Sequence, residues 1–372
     1  MMTTIWSTDD VGQGPGALGW LVGDVNGDGK AEVVQPWNDG GSLGMIVYGW
    51  NGSAMTALWS ANSVGTQSPA AGWAIGDVNG DGRAEVMQPS DSNGTLEITV
   101  YGWNGGMTQL GGAFVGPFQD AAAWLAGDVD GDGRAELVQP WNNGGSLAMD
   151  VYGWSPAGGM TPLGFAGLGQ DPGATDWLIG DVNGDGKDEV VEPSSMTVYG
   201  WSNGAMVMLS SMYMQGSSGG PWLICDVNGD GRAEVVQLSD NGGSLGMTVY
   251  GWQPGGGMAM LSSNYDTGQG SGAVGWLTGD LDGDGKAEVV QLWGNSSGVP
   301  ALFGGSATLG MNVYGWTGSE MATLWGSSDM GQGPGAQAWL MAALNGGNDA
   351  QVVQPWANGG SLGMNVYGWQ GV

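Results

Sequence analysis

The sequence predicts an all-β fold: a seven-bladed β-propeller with four antiparallel strands per blade, closed by an N-terminal strand that completes the last blade. Three observations carry this. A tryptophan opening an apolar run recurs at Trp20, Trp73, Trp124, Trp177, Trp222, Trp276 and Trp339, at spacings of 45 to 63 residues. Each interval holds four short strand-like runs separated by Gly, Asn, Asp and Ser clusters, which is propeller periodicity. Residues 2–21, MTTIWSTDDVGQGPGALGWL, closely match residues 321–340, MATLWGSSDMGQGPGAQAWL. The chain thus starts with a fourth strand and runs out after a third, NVYGWQGV. A linear solenoid would leave both ends as open sheet edges; a ring pairs them. Length alone would suggest two or three domains, but the repeats make residues 1–372 one propeller domain.

The first repeat shows the elements in order. WLVGDV (20–25) is the first strand, EVVQPW (32–37) the second, LGMIVYGW (43–50) the third and MTALW (55–59) the fourth. The turn NDGGS joins the middle pair, and GTQSPAAG (65–72) leads to the next repeat. The third strands LEITVYGW, LAMDVYGW, LGMTVYGW and LGMNVYGW keep Met or Ile and Val at alternate positions. The residue between them drifts among Ile, Thr, Asp and Asn. That is period-two alternation, one face packed and one tolerant.

Between first and second strands runs DVNGDGKAE (24–32). It returns as DVNGDGRAE, DVDGDGRAE, DVNGDGKDE, DVNGDGRAE and DLDGDGKAE. Oxygen-bearing side chains occupy positions one, three, five and nine. These are Asp24, Asn26, Asp28, Glu32; Asp77, Asn79, Asp81, Glu85; Asp128, Asp130, Asp132, Glu136; Asp181, Asn183, Asp185, Glu189; Asp226, Asn228, Asp230, Glu234; and Asp280, Asp282, Asp284, Glu288. Glycine at six permits a positive-φ turn. Position seven, Lys30, Arg83, Arg134, Lys187, Arg232 or Lys286, offers a backbone carbonyl. Hard oxygens in a wrapped loop suit Ca²⁺, so about six calcium ions are expected. An EF-hand needs an acid at position twelve, where Gln35 stands. Repeat seven reads ALNGGNDAQ (343–351) and lacks the acids at one, five and nine, so no tight site is expected there.

All six basic residues of a chain of formal net charge -30 sit at position seven of this nonapeptide. Their side chains are expected in solvent, offsetting nearby carboxylates. With no other basic residue, phosphate neutralisation is excluded, so neither nucleic acid nor anionic membrane is an expected partner. No apolar run is long enough to span a bilayer. MMTTIWS has no charged and apolar leader, so no signal peptide is expected from it. Calcium loops that work at high micromolar to millimolar ion levels favour an extracellular or cell-surface place. The single cysteine, Cys225 in WLICD, excludes an intrachain disulfide and reads as a buried thiol. The absence of histidine removes the commonest general base.

The DxNGDGxxE loops resemble those of the FG-GAP or VCBS repeat family over essentially the whole chain. The Phe-Gly and Gly-Ala-Pro signatures are absent as such; VYGW and GPGA stand roughly in their places. The resemblance implies a propeller with calcium between the first and second strands of a blade. Integrin α-subunit propellers, bacterial surface proteins and propeller lectins share it, so function does not follow from it.

Trp at seven first strands and seven third strands reads as inter-blade core. The selective tryptophans are Trp37, Trp141, Trp293 and Trp356, ending second strands, and Trp6, Trp59 and Trp325, ending fourth strands. In an up-and-down blade these ends lie opposite the calcium loops. Trp6, Gln13, Trp37, Asn38 and Asp39 are expected to form one carbohydrate pocket there. Trp325, Gln332, Trp356 and Asn358 form another, with partial sets at Gln269 and Trp293 and at Trp141 and Asn142. An aromatic plate beside amides suits a sugar ring. The expected function is a multivalent lectin whose partners are glycans or glycoproteins. The alternative is an integrin-like protein-interaction or display module; no catalytic residue is expected, since acids outside the loops are scattered singly.

Overall fold

The computed structural model describes residues 1–12, 16–66, 70–170, 173–174, 176–212, 220–270, 272–295, 308–330 and 336–371. Seven four-stranded antiparallel sheets form the ring of blades. The first blade is Leu21–Gly23, Glu32–Asp39, Ser42–Trp50 and Met55–Thr66. The seventh is Leu340–Ala342, Gln351–Asn358 and Ser361–Trp369, completed by Met2–Thr8. Met2 pairs with Trp369 and Thr8 with Met364, so the N-terminal strand closes the ring as the sequence predicts.

Two strand lengths differ from expectation. The first strand is Leu21–Gly23, not 20–25, because Asp24 turns its carbonyl to the next blade, accepting from Ala84 N–H at 2.8 Å. The same bond recurs around the ring, with Ala135 donating to Asp77 at 2.7 Å and Ala350 to Asp280 at 2.6 Å. The fourth strand runs to Thr66 rather than ending at Trp59. It carries a bulge: Tyr48 faces Ala57 and Val47 faces Trp59, leaving Leu58 as the extra residue. Leu110, Leu163, Leu209, Leu261, Leu324 and Ile5 are bulged alike. Such a bulge breaks the two-residue alternation by which a strand is read.

Core clusters lie between neighbouring blades. Val33, Tyr48 and Met55 of the first blade pack with Leu362, Met364 and Val366 of the seventh. The tolerant third-strand position and the second-strand Gln face each other, Ile46 opposite Gln35 and Asp150 opposite Gln139. The buried Gln35 side chain accepts from Tyr48 Oη at 3.2 Å, and Gln88 from Tyr101 at 3.0 Å. A buried amide thus finds a partner inside the apolar layer. In the fourth blade Glu192 replaces it, fully buried and held by Ser194 and Ser195.

Candidate functional site

Each nonapeptide wraps around the carboxylate at position one. Asp24 Oδ1 accepts from Gly27 N–H at 2.7 Å and Oδ2 from Gly29 N–H at 2.8 Å. Both glycines have positive φ, +79° and +82°, where a side chain would strain the backbone. Asn26 Oδ1 accepts from Asp28 N–H at 2.8 Å and Asp28 Oδ1 from Lys30 N–H at 3.0 Å. Asp77, Asp128, Asp181, Asp226 and Asp280 accept from the position-six glycine at 2.8 to 2.9 Å. The position-nine glutamate starts the second strand and points back into the loop. Glu32 Oε2 accepts from Val25 N–H at 3.1 Å, and Glu85, Glu136, Glu189, Glu234 and Glu288 make the same bond.

These glutamates are almost fully buried, between 1% and 4% exposed. Burial first, then neighbouring aspartates, pushes Glu32, Glu85, Glu234 and Glu288 up to about 7. Glu136 and Glu189 rise to about 8 for the same reasons. A cation at the loop centre would favour the ionised carboxylate against both burial and the aspartates.

The residues present fit such a cation to two degrees. In the third and sixth loops the carboxylate oxygens of Asp128, Asp130 and Glu136, and of Asp280, Asp282 and Glu288, lie within 4.8 Å of one another. Three converging carboxylates form a donor set for a hard divalent ion. In the other four loops asparagine stands at position three, and its amide donates to the glutamate. Asn26, Asn79, Asn183 and Asn228 Nδ2 lie 2.7, 2.8, 2.5 and 2.6 Å from Oε1 of Glu32, Glu85, Glu189 and Glu234. Oxygen ligation there requires the amide to turn. In the seventh loop neutral Gln351 accepts from Leu344 N–H at 2.9 Å in the glutamate's stead.

The basic side chains do not simply face water. Four heads stay near position five of their own loop, from 2.8 Å for Lys286 and 3.3 Å for Arg232 to 4.0 Å for Lys30 and Arg134, while Arg83 Nη1 donates to the Trp103 carbonyl. Their stems lie across the preceding blade's loop: a Cβ on Gly27 would stand 2.8 Å from Arg83 Nε. Inter-blade adjacency, invisible within one repeat, explains the placement. Asp188 at position eight was also missed; its Oδ2 accepts from Asp128 N–H at 2.9 Å, and burial raises its pKa. Cys225, expected buried, is half-buried as a residue, and burial of its thiol pushes its pKa up.

On the opposite face, turns and connections meet as expected. Ala17 bridges to Trp37 and Leu18 N–H donates to Pro36 carbonyl at 2.8 Å. Val11 N–H donates to Leu362 carbonyl at 2.8 Å and Asn358 Nδ2 to Asp9 carbonyl at 2.9 Å, so residues 9–12 rest on the seventh blade. The tryptophans, however, are not open plates. Trp37 and Trp141 are 7% and 9% exposed. Trp37, Trp293 and Trp356 lie over Gly44, Gly310 and Gly363, where an added Cβ would meet the ring at 2.3, 2.2 and 2.2 Å. Trp6 stands edge-on to Trp50 at 6.3 Å, and Trp325 packs on the cluster holding Met2 and Leu309. Asn38 and Asn142 shape their turns, accepting from Gly41 N–H at 3.1 Å and Gly145 N–H at 2.8 Å. Asp39 pairs with Ser42 at the hairpin end. Gln13 and Gln332 lie outside the described residues, as does the Gln269 side chain. Asp150 was missed: Trp141 Nε1 donates to its Oδ2 at 2.7 Å. The drift of its third-strand position was the one signal.

Residues 226–290 match the family of FG-GAP-like repeats. That span runs from the fifth loop through the sixth and agrees with the resemblance read from the nonapeptides. No curated protein sequence matches the chain. Solved structures share the fold at low identity. An exotype rhamnogalacturonan lyase, YesX, is similar with a TM-score of 0.51 and 16% identity over 99% of this chain and 75% of that one. A rhamnogalacturonan lyase of Bacillus licheniformis gives 0.52 and 16% over 100% and 74%. A Lactobacillus plantarum protein gives 0.50 and 15% over 86% and 84%.

Proposed function

We propose that this protein is a calcium-stabilised, multivalent carbohydrate-binding propeller without catalytic activity, its sugar sites on the face opposite the loops. The metal part is supported by buried glutamates aimed into loops of hard oxygen donors. Of the residues assigned to sugar, Trp6, Trp37, Asn38, Asp39, Trp141, Asn142, Trp293, Trp325, Trp356 and Asn358 are described; Trp141 is the weakest, its N–H being already engaged. The observation that carries the sugar reading is a set of orphaned donors. The indole N–H groups of Trp37, Trp293 and Trp356 are buried without a partner among the described residues, as are those of the first-strand Trp124 and Trp177. An unpaired buried donor costs about 1–3 kcal/mol, and a ligand hydroxyl is an acceptor that offsets it. In repeats one, six and seven a sugar reaches that indole edge only by opening the packing over Gly44, Gly310 and Gly363. The similarity to rhamnogalacturonan lyases lies in the fold alone and carries no activity over.

The test is a glycan array on wild type and on Trp37→Phe combined with Trp356→Phe, which removes the N–H and keeps a smaller aromatic ring. Loss of sugar binding in a variant that still unfolds cooperatively supports the reading; retained binding rejects it. One observation favours the second reading, a protein-interaction module. Phe114 and Tyr265, on outer fourth strands, are 66% and 70% exposed. A silent array together with a saturable protein partner on that rim would select it.

A further inference from the structure

Six junctions between neighbouring loops are bridged in one way. The stem of the position-seven base lies across the position-four glycine of the preceding loop. A Cβ on Gly80 would stand 3.0 Å from Arg134 Nε, and one on Gly131 3.0 Å from Lys187 Cε. On Gly184 it would meet Arg232 Cδ at 2.9 Å, on Gly229 Lys286 Cγ at 3.0 Å and on Gly346 Lys30 Cγ at 3.3 Å. Gly27 and Arg83 make the same pair. The slot reaches the third-strand tryptophan of the base's own blade: Arg83 Nη1 donates to the Trp103 carbonyl at 3.2 Å.

The junction of blades six and seven breaks the pattern. Asp349 holds position seven, and its Oδ2 turns back to Asn345 Nδ2 at 3.0 Å and Gln351 Nε2 at 2.9 Å. Nothing lies within 4 Å of a Cβ placed on Gly283. A cavity of about 650 Å³ opens there, lined by Asp282, Gly283, Asp284, Asn348, Asp349 and Trp369 among others.

We propose that this slot binds a lysine or arginine side chain of another polypeptide, which takes the place the chain's own base fills at the other six junctions. The stem is read from those six internal precedents, an alkyl chain over a bare glycine; the head's partners differ here, because position five of the seventh loop is Gly347 and the carboxylates are Asp282 and Asp284 of the sixth loop and Asp349. Three carboxylates line the cavity, and Lys286 pairs with Asp284. Trp369 adds an indole that attracts a cation or covers its methylenes. Asp282 belongs to the metal set of the sixth loop, so a cationic side chain in the slot meets Asp284 and Asp349 with that loop's ion in place. A net charge of -30 draws basic partners toward the surface. This inference is independent of the sugar reading, since it uses the loop face.

The experiment is calorimetric titration of the calcium-saturated full chain with the capped peptide acetyl-Gly-Arg-Gly-amide, with free arginine as the second arm. Saturable binding is expected, tighter for the peptide. Asp349→Arg refills the slot from within and should weaken the peptide by about tenfold or more, with a melting temperature equal or higher. Asp349→Ala, which removes a carboxylate without refilling the slot, should weaken it less. Unchanged affinity in Asp349→Arg, or no saturation, overturns the proposal. Tighter binding of free arginine assigns the slot to a small molecule, and mutual displacement of peptide and calcium assigns it to a metal; either also overturns it.

Discussion

The N–H of Ala31 donates to the carbonyl of Ala343 at 3.0 Å and joins the first blade to the seventh. It is the closing member of the position-eight to position-one bonds that run around the loop face. The outer closure is Met2–Thr8 on Ser361–Trp369. Deleting residues 1–7 keeps the inner bond but bares the third strand's edge and removes buried Met2. A loss of at least about 3 kcal/mol is expected from that core side chain and its strand. Thermal unfolding checks it, and an unchanged melting temperature would show that the N-terminal strand closes nothing.

Trp37 on Gly44 sets a second expectation. Gly44→Ala places a methyl 2.3 Å from the indole carbon Cε2, inside a packed inter-blade cluster. Overpacking of this kind costs about 1–3 kcal/mol. Gly41→Ala, with open space around its Cβ but φ of +104°, reports strain alone. Denaturant melts of both variants separate the two; a Gly44→Ala protein as stable as wild type would show that Trp37 moves freely.

The ring, the blade count and the loop positions were legible because each recurs in register. A single site can look like a good turn; six copies of Asp, Gly and Glu at fixed offsets do not arise from turn propensity. What was not legible depends on neighbours across blades. Leu58 and Trp59 are adjacent apolar residues, and only the bulge explains how one covers Gly49 while the other packs on Trp103. The Trp37 ring looked selective, hence exposed, yet glycine at position 44 of the facing strand makes room to bury it. Arg83 crosses to Gly27, 56 residues back in the chain, a relation no single repeat displays.

Metal binding should be graded. The third and sixth loops bring three carboxylates together and should fill first. The four asparagine loops must turn an amide away from glutamate and should bind more weakly, giving about six ions in all. Each ion adds about 2.7 kcal/mol at a hundredfold excess over its Kd. Equilibrium dialysis with elemental analysis counts the ions. Glu136→Gln should remove one tight site and Glu85→Gln one weak site; no bound calcium, or equal loss of a tight site in both variants, would contradict this ordering.

The same glutamates set opposite pH responses with and without metal. In the metal-free chain Glu32, Glu85, Glu234 and Glu288 titrate at about 7 and Glu136 and Glu189 at about 8, against 4.5 ordinarily. Between those values the unfolded chain has released protons that the folded chain still holds. Their contribution to stability is therefore full below 4.5 and is lost as pH rises through 7 to 8. The melting temperature of metal-free protein should fall from about pH 5 to about pH 8. Calcium takes the ionised carboxylate, so its affinity grows with pH, and saturating calcium should flatten or reverse the slope. General repulsion among the acids also lowers stability at high pH, and Glu136→Gln separates the two effects: it should flatten the metal-free slope while leaving the other acids in place. Calorimetric scans of wild type and Glu136→Gln, each metal-free and calcium-loaded, give the four slopes. Identical slopes with and without calcium would sink the assignment of these glutamates to a metal.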